Sequence, residues 1–241
     1  MSDVCIFRRI EKKYLLTEPQ RRALTERIAA YLKPDEYGRS TVCSLYLDTP
    51  DWLLIRNSID ATTYKEKLRL RSYGTPGADG RVFLELKKKY DGVVYKRRVA
   101  VTERQAEAYV RSGIKPFDSQ IFRELDYAMR FYGCPHPAAV ISCEREAFTV
   151  PSVPNLRLTF DTAVRYRDTD LTLKAGTAGK GLLPENDTIL EIKTDGAMPL
   201  WLTGALDECA IRPASFSKYG AAYRDMCLHQ INPIKEVKRY A

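Results

Sequence analysis

Histidine is nearly missing from this 241-residue chain, which has only His136 and His229. Six cysteines, at 5, 43, 134, 143, 209 and 227, include no Cys-x-x-Cys pair. Together these shortages leave no zinc signature and no redox dithiol. The cysteines read as small buried hydrophobes in a reducing compartment. No apolar run reaches the ~18 residues that a membrane-spanning helix needs, and the N-terminus has no apolar signal core. Internal repeats, low-complexity tracts and long linkers are also missing. The expectation is a soluble, cytoplasmic protein forming one domain over residues 1–241. If it works at a membrane, a membrane-protein partner brings it there.

Charge is plentiful and one-sided. Thirty-nine Lys and Arg face 31 Asp and Glu, a net charge of +8. A chain this basic points to an anionic partner. The placement says more than the total. Lys65-Glu66-Lys67-Leu68-Arg69-Leu70-Arg71, Glu85-Leu86-Lys87-Lys88-Lys89, Lys96-Arg97-Arg98 and Glu191-Ile192-Lys193 carry charge on every second residue. A strand sends alternate side chains to opposite faces. Lys65, Lys67, Arg69 and Arg71 therefore share one face, and Leu68 and Leu70 the other. Several such strands side by side make a cationic wall. Closed on themselves, they line a cationic bore suited to a polyanion.

Local signals set the order of elements. Arg8 to Leu16 reads as a strand with Arg9, Glu11 and Lys13 on one face. Thr17 and Gln20 form a capping box with Pro19 in the first turn, opening a helix to about Lys33. Thr41 to Asp48 alternates, with Cys43, Leu45 and Leu47 opposite Ser44, Tyr46 and Asp48. A short helix or turn spans Pro50 to Ile59. Basic strands follow at about 63–73 and 81–90, and Asp91-Gly92 turns the second into a third at 93–101. Two helices come next. The first starts at the Thr102–Gln105 box, and the second runs from about Ser119 to Tyr132 and stops at Gly133. Val140 to Val150, Leu156 to Arg167 and Thr188 to Thr194 are further strands, and helices begin near Pro199 and Ser217. Hairpin connections make this an α+β fold with an antiparallel sheet. Strands with one polar and one apolar face suit a wet-cored barrel covered by helices.

Several charged residues have ordinary readings as well. Glu11 and Glu85 are either metal ligands or structural partners of lysines. Arg157 and Asp161 either line the bore or pair with each other. Lys88, Arg97 and Arg104 face solvent, and Trp52 and Trp201 serve packing.

Glu11-x-Lys13-Tyr14, Lys67-x-Arg69-x-Arg71, Glu85-x-Lys87, Lys96-x-Arg98, Glu191-x-Lys193 and Phe216-Ser217-Lys218-Tyr219 occur in that order. In this the chain resembles the VTC domain, the polyphosphate polymerase module of the vacuolar transporter chaperone. It also resembles the wider triphosphate tunnel (CYTH-like) metalloenzymes, over about Arg8 to Tyr223. The resemblance implies an eight-stranded antiparallel β-barrel tunnel with helices outside. It implies catalytic Arg69, Arg71, Lys87 and Lys218, and phosphate contacts from Lys13, Lys67, Lys96, Arg98, Arg145, Lys193 and Ser217. Glu191, Glu11 and Glu85 would bind Mn²⁺ or Mg²⁺. The implied reaction moves the γ-phosphoryl of ATP onto a polyphosphate chain. The alternatives are a metal-dependent tripolyphosphatase or nucleoside triphosphatase of the same fold, and a non-catalytic polyphosphate-binding module. Nucleic acid is not an expected partner. Two positions depart from the family pattern. Arg9 stands where tunnel enzymes often carry an acid, which favours chain extension over triphosphate cleavage. Cys143 stands where a tyrosine is expected.

Overall fold

The computed structural model describes residues 10–60, 63–91 and 93–231, with side chains to 228. Arg9 and Gly92, which the sequence reading singles out, lie outside the described residues. The strands are β1 (Ile10–Leu16), β2 (Lys33–Asp48), β3 (Tyr64–Tyr73), β4 (Arg81–Tyr90), β5 (Val93–Thr102), β6 (His136–Thr149), β7 (Arg157–Arg167), β8 (Lys180–Gly181) and β9 (Thr188–Thr194). The helices are α1 (Glu18–Ile28), α2 (Leu53–Asp60), α3 (Glu103–Ser112), α4 (Gln120–Phe131), α5 (Leu200–Glu208) and α6 (Lys218–Ile231).

Every strand pairing is antiparallel, in the order β1-β9-β7-β6-β2-β3-β4-β5, with the two-residue β8 added beside β7. Eight strands therefore form the continuous path, as expected. They make a curled sheet whose edge strands β1 and β5 do not pair with each other among the described residues. Side chains span the gap instead: Lys87 on β4 donates to Glu11 on β1 at 3.4 Å.

The caps behave as their chemistry requires. Thr17 and Gln20 bond reciprocally at the start of α1, and Thr102 and Gln105 at the start of α3. Gly133 ends α4 with φ +69°, a conformation that Gly reaches without strain. The first helix is shorter than the sequence reading expects. It stops at Ile28, one 3₁₀ turn covers Ala29–Tyr31, and Lys33 already belongs to β2. That strand is correspondingly longer than Thr41–Asp48. Asp35 Oδ1 accepts from the amides of Tyr37 and Gly38, both at 2.9 Å, and Gly38 takes φ +52°. This side-chain turn carries the bulge between Pro34 and Arg39 that sequence periodicity does not show.

The alternating strands divide their two faces as expected. Leu68, Leu70, Leu84 and Leu86 face outward and pack beneath α3 and α4 with Tyr109, Phe122, Leu125 and Met129. On the far side, Leu158, Phe160, Leu190 and Ile192 pack against Leu24 and Ile28 of α1 and Leu202 and Leu206 of α5. Two helices do not stay outside. The inward positions Val42, Tyr46, Ile141 and Cys143 are apolar or aromatic, and α2 and α6 cover them with Ile55, Tyr219, Ala222 and Met226. Trp52 packs at this cluster and against Tyr223, and Trp201 stacks on Tyr31, so both are packing residues.

Asp48 holds α2 and α6 together. It is fully buried and accepts from the amides of Thr49, Leu54 and Ile55 at 2.9–3.0 Å and from the Tyr219 hydroxyl at 2.8 Å. A carboxylate at a helix N-terminus satisfies donors that have no helical partner. Asp48→Ala orphans all four donors and should lower unfolding free energy by about 2–4 kcal/mol. Tyr219→Phe, which removes one donor, should cost only about 1 kcal/mol. Urea denaturation of both variants gives the comparison.

Candidate functional site

The concave face encloses a cavity of about 420 Å³. Ten basic side chains line it: Lys13, Lys65, Lys67, Arg69, Arg71, Lys87, Lys89, Arg145, Lys193 and Lys218. Among the described residues its acidic lining is Glu11 and Glu191. The strand register explains the convergence. Lys67 pairs with Lys87 across β3–β4, and Lys13 with Glu191 and Glu11 with Lys193 across β1–β9. The segment Ala214–Ser217 and the start of α6 close the remaining side and bring in Ser217 and Lys218. Ser217 Oγ accepts from Lys67 Nζ at 2.9 Å and from the Gly220 amide at 3.1 Å, so one hydroxyl caps α6 and aims a lysine.

Buried carboxylates set the arginines. Glu85, 1% exposed, lies behind the cavity wall rather than on it. Its Oε2 binds Arg69 at 2.7–2.8 Å, with Arg71 at 4.0 Å. Its Oε1 has Lys96 at 2.6 Å and Arg98 at 3.2 Å, ion-paired without hydrogen-bond alignment. Burial pushes the Glu85 carboxyl up, but Arg69, Arg71 and Lys96 override it and hold the group at about 2. Of the two roles expected for Glu85, metal ligand or structural partner of basic residues, its four neighbouring cations match the second. Lys96 and Arg98 thus stand off the cavity wall. The Arg98 guanidinium lies 3.4 Å over the Phe83 ring.

Asp161 plays the same part on the opposite side. It is fully buried and takes a two-point contact from Arg145, 2.6 Å at each oxygen, and Lys218 at 2.5 Å. Burial alone would raise its pKa, yet Lys218 and Arg145 hold it at about 2. Arg157, read as a candidate partner for Asp161, pairs instead with Asp35. Lys88 turns outward to Glu66, Arg97 to Glu124, and Arg104 pairs with Asp79 at the surface.

Glu11 and Glu191 stand on adjacent strands. Burial and the charge of Glu191 push Glu11 up, but Lys87, Lys13 and Lys193 outweigh both and keep it ionised. Burial likewise raises Glu191, while Lys193 and Lys13 hold it far below the usual carboxylate range. Among the described residues no cluster of three His, Cys, Asp or Glu exists. Two ionised carboxylates suit a hard divalent ion whose shell is completed by water or phosphate oxygens.

Two wall residues escape the sequence reading. Tyr46 accepts from Arg69 at 3.2 Å and stacks on Tyr219 with centroids 4.3 Å apart. Ser44 accepts twice from Arg71 at 3.2 Å. Their alternation with Cys43, Leu45 and Leu47 places them on the polar face, but nothing local ties them to the arginines. Cys143 lies on the wall near Arg145 and Lys218, and burial pushes its thiol up to about 11.

The cavity is undercompensated. Burial first, then Lys13, Lys87 and Arg69, pull the Lys67 pKa down to about 8. Burial would raise Tyr46, but Arg69, Lys67 and Arg71 bring its hydroxyl down to about 8.

A family model described as VTC domain matches residues 8–227. A search of curated proteins returned no match. Among solved structures, a candidate adenylate cyclase from Bacillus halodurans superposes with a TM-score of 0.54 at 15% identity, covering 86% of this chain and 92% of its own. A candidate adenylyl cyclase from Hippeastrum, described as having a dominant triphosphatase activity, gives 0.54 at 17% identity over 90% and 96%. At such identities the likeness is one of fold.

Two measurements follow from this electrostatic layout. Between pH 8 and the unfolded lysine range near 10.5, unfolded Lys67 holds a proton that folded Lys67 has lost. Stability of the free protein should therefore gain from this group as pH rises through that window, and Tyr46 acts in the same direction. Tripolyphosphate bound beside Lys67 would restore its proton, so in that case the gain should disappear and binding should take up protons near pH 8–9. Thermal melts across pH, with and without tripolyphosphate, check this. Separately, Glu85→Gln leaves Arg69 and its neighbours without a counter-charge and should cost about 3–5 kcal/mol in urea unfolding. Tripolyphosphate should recover part of that loss.

Proposed function

Because this chain belongs to the VTC-domain family, we propose that it is a metal-dependent phosphotransferase. It moves the γ-phosphoryl group of ATP onto a polyphosphate chain held in the cationic cavity. The observation that carries the reading is the wall itself, where among the described residues ten basic side chains surround two ionised carboxylates.

Phosphoryl transfer asks a protein chiefly for positioning and charge neutralisation. Arg69 and Arg71 offer fork-shaped donors to non-bridging oxygens, and Lys13, Lys87, Lys193 and Lys218 offer point charges. Arg69 is aimed by Glu85 and Tyr46, and Arg71 by Ser44. Lys67 and Ser217 form a hydrogen-bonded pair on the wall beside them. The terminal phosphate oxygen of the acceptor chain attacks the γ-phosphorus. The bond from that phosphorus to its β,γ-bridging oxygen breaks, and ADP leaves with the electron pair. The attacking oxygen is already ionised, so no general base is required and the shortage of histidine is no handicap. Glu11 and Glu191 would hold Mn²⁺ or Mg²⁺, which would supply Lewis-acid neutralisation of phosphate charge.

A triphosphatase is the second reading, favoured by the activity described for the Hippeastrum neighbour. Water would then take the place of the acceptor chain. Product analysis separates the two: chain extension yields ADP and long polyphosphate, whereas hydrolysis yields orthophosphate. Incubation with ATP and Mn²⁺ should give the former. Arg71→Ala should lower turnover by about 10²–10³-fold. Glu191→Gln should remove most divalent-dependent turnover, and unchanged activity would take Glu191 out of the metal role.

A further inference from the structure

The inward row of β3 does not end in charge. After Lys65, Lys67, Arg69 and Arg71 the next residue on that face is Tyr73, half-exposed one step beyond the cavity. Its register partner Val42 lines the cavity, so Tyr73 adjoins the same wall. Phe83 pairs with Arg71 across β3–β4 and meets Tyr73 edge-on at 6.1 Å. Arg98 lies over Phe83, stands 5.7 Å from the Tyr73 ring centroid, and donates to the Tyr73 hydroxyl at 3.4 Å. The end of the phosphate-binding row is thus an aromatic and guanidinium surface, half open to solvent.

We propose that Tyr73, backed by Phe83 and Arg98, stacks the base of a nucleoside triphosphate whose phosphates run inward over Arg71 and Arg69. The proposal rests on the phosphate-binding reading of the cavity. Successive residues on one face of a strand are about 7 Å apart. One such step is comparable with the reach from a nucleobase through its sugar to the first phosphate. The order of groups on the row therefore matches the order of groups in the ligand. Further phosphates fall toward Lys67 and Lys87, and Lys87 reaches Glu11. An inorganic polyphosphate has nothing to place on Tyr73. The platform therefore separates the nucleotide donor from an inorganic chain, which binds by charge alone. Stacking tolerates every base, so ATP and GTP should differ little.

Calorimetric titration in EDTA, where metal-dependent turnover is stopped, tests this with ATP and tripolyphosphate. Tyr73→Ala should weaken ATP binding about five- to hundredfold and change tripolyphosphate binding less than twofold. Tyr73→Phe keeps the ring and should retain ATP affinity. Equal losses for both ligands would mean that Tyr73 only supports Arg98 and the wall, and would overturn the proposal. An unchanged ATP affinity in Tyr73→Ala would overturn it too, while tripolyphosphate binding by the native protein would leave the cavity reading intact. Failure of the native protein to bind either anion would overturn the cavity reading and this proposal together.

Discussion

Like charges crowd the concave face of the sheet, and that crowding governs the rest of the site. Two unit charges 4 Å apart interact by about 4 kcal/mol at an effective dielectric of 20. Ten cations on one wall cannot be held without relief. Part of it comes from behind the wall. Glu85 anchors Arg69 and stands close to Arg71, Lys96 and Arg98, while Asp161 anchors Arg145 and Lys218. Each buried carboxylate fixes the direction of an arginine as well as neutralising it, so the donors are set before any ligand arrives. The relief is partial, since among the described residues ten basic side chains face two acidic ones on the wall, and a polyanion would supply the remainder.

The same strands that build the charged wall also build the core. Leu68 and Leu70 alternate with Lys67, Arg69 and Arg71, so one period-2 pattern serves both faces. Burial of the leucines beneath α3 and α4 fixes the register. A one-residue slip would send the arginines into apolar packing, which makes the register strongly specified. On the other side, Asp48 caps α2 and binds Tyr219, seating α6 so that Ser217 and Lys218 reach the cavity. The site is therefore positioned by the sheet register and by one capping interaction.

Much of this was legible in the sequence because alternation of charge and leucine has one cheap solution, a strand with a wet face and a buried face. The capping boxes at Thr17 and Thr102 were equally readable, since the residues involved are three apart. What escaped was set by long-range geometry. Glu85 shares the parity of Lys87, but only the pairing register of β3, β4 and β5 sets Arg69 and Arg98 directly opposite it. Arg157 and Asp161 stand four residues apart on the extended strand β7, roughly 13 Å, too far to pair, and Arg157 meets Asp35 instead. Tyr46 and Tyr73 read as ordinary strand aromatics until their partners Arg69 and Arg98, distant in sequence, are placed against them. The entry of α6 onto the inner face was hidden too, because apolar positions such as Val42 and Ile141 do not declare in sequence which helix covers them.

The central claim is that the concave face is a polyanion site whose charge its own carboxylates leave incompletely balanced. Titration of tripolyphosphate at low and at high salt, without metal, tests it most directly. Saturable binding that weakens steeply as salt rises is expected, because several Lys and Arg must meet the ligand at once. Absent binding, or an affinity insensitive to salt, would contradict it.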